Sequence, residues 1–480
     1  MSRQLIHLSK LINLLETFSV QEWKDFGLYV FSDFFKTSSN TQRLFDYLKP
    51  LHPKFEEAKI NEHRITQKQP LLKSKITQAK AGSELLQAAE DFLSISIFES
   101  SDFERICNLL QAYHNKGLYA LFEKKLFSLL EEEEKKGIED YYSFERRYRL
   151  CSLWFHSFPA RLIRNQTNDI SKQAILRQQN FALHQLKTYC SMIARQQILG
   201  IPFEAPLLDW VLQTLAPFDS PNNLYVFVHI RLFHLHDTDF EKAFPIYQEL
   251  KKCWVSFEDK NNLPDALIEM LVFMSTFCQY WYNKGKYDLG HEYLWWTDQK
   301  IAHNRLLENG HLDPTIFTNY ITLGVICKLD KKQLSNFYNT YSNFLRADLP
   351  SSNRSFCKAL YHYVNSEMEL AIVAFNDALM KEDLILNAIV RRWEFMLFFE
   401  YYGKKEASML ADKLNAFEKY ILRNKKEFHV LKTPFNTFIK YARKLLNTPK
   451  SEMNALKQGI EREVHFPGKD WMIGIVEKAV

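Results

Sequence analysis

Apolar residues recur along this chain at the period of a helix. Leu5, Leu8, Ile12 and Leu15 are spaced by 3, 4 and 3, which places them on one helical stripe. Ser19 then offers an N-cap to a second helix, "VQEWKDFGLYVF". From about Ser171 to Leu199 the stripe runs through Leu176, Leu183, Leu186, Cys190 and Ile193 with no Gly or Pro, and predicts one long helix. In "LDPTIF", Asp313 is placed to cap and Pro314 suits a first helical turn. No sustained alternation bounded by hairpin signals occurs, so the expected fold class is all-α.

Between the helices one pentapeptide returns. "YHNKGLYALFEKKL" begins at Tyr113 and "YWYNKGKYDLGHEYL" at Tyr280, and both carry Asn-Lys-Gly-x-Tyr. Glycine takes the left-handed conformation that closes a helix. The motif therefore predicts a joint, with Gly117 and Gly285 ending helices and new helices starting near Tyr119 and Tyr287. "EYYGKKEASMLADKL" repeats the plan around Gly403, and "LFHLHDTDFEKAFPIYQEL" repeats it without Gly. Such a succession predicts an irregular array of antiparallel helical hairpins, each burying its apolar face against its neighbours. The expected parts are an N-terminal helical domain (1–100), hairpins with the long helix (101–219), the repeat-like array (220–450) and a C-terminal helical tail (451–480). Pro159, the loop around Asn165 and Pro217 to Pro221 are the expected internal joints.

The helix "ELAIVAFNDAL" spaces Ala371, Phe375 and Ala378 by 4 and 3, and Trp281, Gly290 and Leu294 supply an aromatic, a small and a large apolar residue around the second pentapeptide. This pattern resembles the tetratricopeptide repeat and implies a tetratricopeptide-like α-solenoid over residues 220–450. "LLETFSVQEWKDFGLYVFSDFF", "NFALHQLKTYCSMIARQQIL" and "GKDWMIGIVEKA" together resemble a family of long, uncharacterised bacterial helical proteins. That resemblance implies helices throughout and carries no activity.

Composition narrows the picture. At 480 residues and 57.0 kDa the chain exceeds what one ordinary core supports. Only 13 Gly and 15 Pro leave little turn chemistry for a β protein, while aromatics at 15% supply core volume. The seven Cys are odd in number, widely spaced and free of any C-x-x-C, and read as buried apolar residues. The first residues lack the unbroken apolar core of a signal peptide, and the longest uncharged runs, Met270 to Asn283 and Pro314 to Cys327, fall short of a membrane span. The expectation is a cytoplasmic protein without a membrane partner.

Candidate chemistry is sparse. His229, His234 and His236 cluster in "VHIRLFHLHDTD", but residues seven apart rise about 10 Å along a helix, too far to share one ion. They read as helix-surface and turn histidines. His291-Glu292 lacks the second His of a zinc motif, "GKYDLGHE" lacks the Lys and Ser/Thr of a phosphate loop, and Ser355 with Lys358 lacks the partners of an S-x-x-K nucleophile. The acidic run Glu131 to Glu134 reads as a solvated helix end. No catalytic residue, cofactor or metal site is assigned, and no enzyme is expected.

Charge is uneven. "KINEHRITQKQPLLKSKITQAK" (59–80) holds six basic residues and one acid, and 423–450 holds eight and one, with Phe428, Phe435, Phe438 and Tyr441 interleaved. Basic and aromatic groups together bind nucleic-acid backbones and stack on bases. The simpler reading of 423–450 is an amphipathic helix with its aromatics buried, because their spacing of 3 and 3 suits a core face. The cluster "YWYNKGKYDLGHEYLWW" reads either as a peptide-binding groove or as packing between hairpins. The expected function is a non-catalytic scaffold or adaptor that binds a protein or peptide. A nucleic-acid binder using 59–80 and 423–450 (Lys425, Lys426, Arg443, Lys444), or an enzyme of unknown class, are the alternatives.

Overall fold

Local signals start the helices where the sequence places them. Ser19 accepts from the Glu22 N–H at 3.2 Å while the Glu22 carboxylate accepts from the Ser19 N–H at 2.7 Å, a complete capping box. Ser38, Asn61, Ser74, Ser101, Asp239, Asp313 and Asp330 cap seven further helices, each side chain accepting from a backbone N–H of the first turn. The computed structural model describes residues 8–56, 59–162, 168–199, 202–237, 239–257, 262–286, 288–345, 351–378, 384–424, 432–463 and 466–479. Leu5, Tyr287, Lys425, Lys426, Phe428 and the loop at Asn165 lie outside them. Among the described residues nearly all regular structure is helical, and none of the helices is long and apolar enough to cross a membrane.

The chain forms two units, residues 1–130 with 152–166, and residues 131–151 with 167–480. The first contains α1 (Ser9–Leu15), α2 (Val20–Val30), α3 (Ser39–Leu48), α4 (Glu62–Lys68), α5 (Lys75–Ser100) and α6 (Asp102–Asn115). α7 (Tyr119–Lys135) and α8 (Ser143–Phe155) each cross the boundary in sequence, and α9 (Phe158–Leu162) belongs to the first unit. Residue 100, the expected end of the N-terminal domain, is the last residue of α5. The core from α1 to α5 is aromatic: the Phe26 ring lies 5.5 Å from those of Phe18, Phe45 and Phe92, and Trp23 stacks on His52 at 4.7 Å. Edge-on and tilted ring pairs of this kind fill volume without leaving polar atoms inside.

The second unit holds α10 (Asn168–Leu199), α11 (Leu208–Leu215), α12 (Leu224–Asp237), α13 (Phe240–Ser256), α14 (Asp265–Asn283), α15 (Leu289–Ala302), α16 (Pro314–Ile326), α17 (Lys331–Tyr341), α18 (Ser351–Val364), α19 (Met368–Asn376), α20 (Leu384–Tyr402), α21 (Ala407–Arg423), α22 (Lys432–Asn447), α23 (Met453–Arg462) and α24 (Lys469–Ala479). α10 covers the stretch expected to be one long helix. Sequence neighbours pack as pairs, α12 with α13, α14 with α15, α18 with α19, α20 with α21 and α23 with α24. Close approach needs small residues: a Cβ on Gly324 of α16 would stand 2.4 Å from Leu334 Cδ2 of α17, and one on Gly290 would stand 2.9 Å from Cys327 Sγ.

The repeated pentapeptide is a joint in both places. Leu118 N–H bonds Tyr113 O at 2.9 Å and Lys286 N–H bonds Trp281 O at 3.0 Å, the six-residue closure of a Schellman cap. Gly117 and Gly285 supply its left-handed residue, with φ of 72° and 99°. Beside the helices there is one short ladder, in which Leu307–Glu308 pairs antiparallel with His311–Leu312. Asn309 and Gly310 between them both have positive φ, the geometry of a two-residue hairpin turn. Each strand is two residues long, too short to leave an alternating pattern.

Candidate functional site

Two of the three candidate histidines are not on the helix surface, and the third, His234, is half-buried. His229 and His236 are buried on α12, and each meets a different partner. His236 Nδ1 bonds Gln197 Oε1 at 2.7 Å, and its Nε2 is buried without a partner. Burial holds its ring down at about pKa 4, partly opposed by the Phe273 backbone. His229 faces Tyr225 O at 2.8 Å through Nδ1 and Glu269 Oε2 at 3.0 Å through Nε2.

Glu269, on α14, is the centre of this network. Its Oε1 also accepts from Lys187 Nζ at 2.8 Å and from Tyr225 Oη at 3.0 Å. Burial raises the Glu269 carboxyl, but the hydrogen bond and charge of His229, followed by those of Lys187, outweigh it and bring the group to about 2. With the carboxylate ionised, both ring nitrogens of His229 face acceptor oxygens. Lys187 also stands 4.4 Å over the ring of Tyr141, whose hydroxyl pairs with His184 Nδ1 at 2.8 Å. Glu269, His229, Lys187 and Tyr225 are thereby joined across α10, α12 and α14. Sequence reasoning missed them because the acid lies 40 residues from its histidine.

A second network sits in the aromatic cluster. Tyr247 and Lys251 both donate to Glu292 Oε2, and Trp296 Nε1 donates to Tyr247 Oη at 3.0 Å. Tyr293 and Trp296 are buried, while Tyr280, Trp281, Tyr282 and Trp295 are half-buried. No described aromatic of this stretch is exposed, which supports packing between helices rather than an open aromatic groove. On the same helix Lys300 is buried, and burial takes its ammonium down to about 8 despite the nearby Asp313 and Cys278. The expected solvated acidic end at Glu131 to Glu134 also needs correction. Glu133 is buried and accepts from Arg146 Nε at 2.7 Å and Lys136 Nζ at 3.1 Å.

Of the basic segments, 423–450 is largely engaged where it is described. Phe435, Phe438 and Tyr441 are core residues, Arg443 pairs with Glu418 at 2.7 Å, and Lys440 pairs with Glu463 at 2.8 Å. Among the described residues no group of three or more His, Cys, Asp or Glu converges as a metal site would require. Ser355 and Lys358 lie on α18. Two surface clefts, of about 350 Å³ at α16 to α20 and about 610 Å³ at α20 and α21, are lined by neither His229 nor Glu269.

The unexplained surface is in the first unit. α2 buries Trp23, Phe26 and Val30, yet its opposite face carries Val20 at 64% exposure and Leu28 at 75%. Val20, Lys24, Leu28 and Phe31 follow the helical intervals 4, 4 and 3, and beyond the helix Phe34 stands out at 84%. Phe34 meets Phe35 edge-on at 5.1 Å, and Phe35 stacks on Tyr29 at 4.1 Å, so the loop is a continuous apolar tip. Val20 and Leu28 have the same chemistry as core residues, which hid them in the sequence.

No protein-family model, no curated protein and no solved structure matches this chain.

Proposed function

We propose that the protein is a non-catalytic helical adaptor, its second unit an irregular tetratricopeptide-like array, and that it binds a protein partner through the outward face of α2 and the Phe34 tip. The observation that carries this reading is the exposed apolar stripe of Val20, Leu28 and Phe31, crossed by Lys24, with Phe34 beyond the helix end. Large apolar side chains grouped on one face lose free energy in water and gain it at an interface. Each exposed Leu or Phe contributes about 1.5–3 kcal/mol when it is covered. The paired helices with Gly290 and Gly324 at close approaches support the repeat-like reading. The joining of Glu269, His229, Lys187 and Tyr225 gives those titratable groups a structural purpose.

The test compares the full chain with a Leu28→Asp/Phe34→Asp variant in affinity capture from native cytosol. A stoichiometric, saturable protein retained by the native chain and lost by the variant, at equal melting temperature, is the expected result. Equal retention by both, or no saturable partner, refutes it.

A further inference from the structure

The corner between α4 and α5 differs from the α2 face in its chemistry. Here Arg64, Lys68, Lys73, Lys75 and Lys80 are exposed, and no ion pair to them occurs among the described residues. Lys59, the sixth base, is paired with Glu56 at 2.9 Å. Glu62 is the single acid in the segment, and Glu84, one turn beyond Lys80, is already held by Ser38 and Thr41 at 2.5 and 2.7 Å. Among these cations two aliphatic side chains point outward, Leu71 at 55% and Ile76 at 82% exposure.

The presentation is fixed from within. Gln78, fully buried, directs Nε2 at Leu72 O (3.0 Å), Thr66 Oγ1 (3.1 Å) and Glu62 O (3.2 Å), tying α4, the connector and the first turn of α5 together. Ile65 and Leu72 fill the core beneath. With Leu72 anchored inward, its neighbour Leu71 is turned out.

We propose that this corner docks the protein on an anionic membrane surface, with the five cations over lipid phosphates and carboxylates and with Leu71 and Ile76 inserted among the headgroups. Two features favour lipid over other anions. The described segment has no Phe, Tyr or Trp, and its one ring is the exposed imidazole of His63, so it offers single-stranded nucleic acid no row of aromatic platforms. Leu71 and Ile76 also protrude singly, which suits a fluid interface that closes around them. Clustered basic residues with apolar side chains adhere to anionic leaflets in this way without spanning them. The surface is separate from the α2 stripe, and the inference does not depend on the partner proposed there.

The full chain is floated with vesicles of phosphatidylcholine alone and of phosphatidylcholine mixed with phosphatidylserine. Binding to the mixed vesicles, released near 1 M salt where the screening length falls to about 3 Å, is expected. Lys73→Gln/Lys75→Gln/Lys80→Gln should weaken partitioning on the order of a hundredfold, at about fivefold per charge. Leu71→Ser/Ile76→Ser, with every charge kept, should weaken it about tenfold or more. All five positions are exposed, and an unchanged melting temperature checks the fold. The proposal is overturned by no binding at low salt, by equal binding to neutral vesicles, or by indifference to either variant. Competition by duplex DNA or RNA at lower concentration than lipid would also overturn it, and would assign the corner to nucleic acid.

Discussion

The corner at α4 and α5 and the network around Glu269 handle charge in opposite ways. At the corner, lysines stand in water with no ion pair among the described residues, and aliphatic side chains stand beside them. Around Glu269, a carboxylate, an imidazole, an ammonium and a phenol have been drawn in from three helices and joined within 3.0 Å. Removing charges from water costs several kcal/mol per ion, which only good mutual geometry offsets. The inner network has obtained that compensation from its own chain. At the corner water supplies it instead.

The comparison breaks most sharply at Glu269. Glu269→Ala strands His229 and Lys187 and should cost about 3–5 kcal/mol in urea unfolding. Glu269→Gln, which keeps a hydrogen-bond acceptor, should cost less. A loss under about 1 kcal/mol for the alanine variant would mean that the network is decorative.

Acid offers a second probe, through His236. The unfolded chain takes up a proton on this ring near pH 6.5, whereas the folded one resists until about pH 4. At neutral pH the ring is uncharged in both states. As pH falls from 6.5 to 4 the unfolded state therefore gains, and stability should drop by about 3 kcal/mol. Glu269 extends the loss below 4.5, because its folded carboxyl stays ionised down to about 2. His236→Gln should flatten the upper part of this profile in melting temperatures recorded against pH.

The smallest effect concerns Lys300, an inner charge that resembles the outer ones in lacking a close partner among the described residues. Its ammonium is charged in both states below pH 8, and burial makes that costly in the folded one. Lys300→Met should raise stability by about 2 kcal/mol at neutral pH. The advantage should shrink between pH 8 and 10.5, where the folded lysine of the native chain is already neutral. A destabilised variant would show that Lys300 is held by a contact stronger than the charge of Asp313.

What was legible in the sequence was local. The stripe of Leu176 to Ile193, the capping box at Ser19, the Asp313-Pro314 start and the Asn-Lys-Gly joints all depend on neighbours within a turn or two of chain. The burial of His229 and Glu133 was not legible, because it is decided by partners 40 and 13 residues away that no local period reports. The exposure of Leu28 was hidden for the converse reason. An outward leucine on α2 differs from an inward one only in the absence of a neighbour. The hairpin at Asn309 and Gly310 was missed, because its two-residue strands leave no flanking alternation.

One helix imposes an order on the making of this chain. From Arg392 to Phe399 every residue of α20 is buried. Tyr363 of α18 precedes it in the chain and packs on Trp393, while Lys413 of α21, Phe438 of α22 and Trp471 of α24 follow it. Glu400 and Trp471, joined at 2.6 Å, are 71 residues apart. At ribosomal speeds of about 5–20 residues per second, α20 emerges and waits roughly 4–14 s before its final cover is synthesised. During that interval the nascent chain carries Phe395 and Phe399 without the Trp471 ring that packs on them in the finished protein.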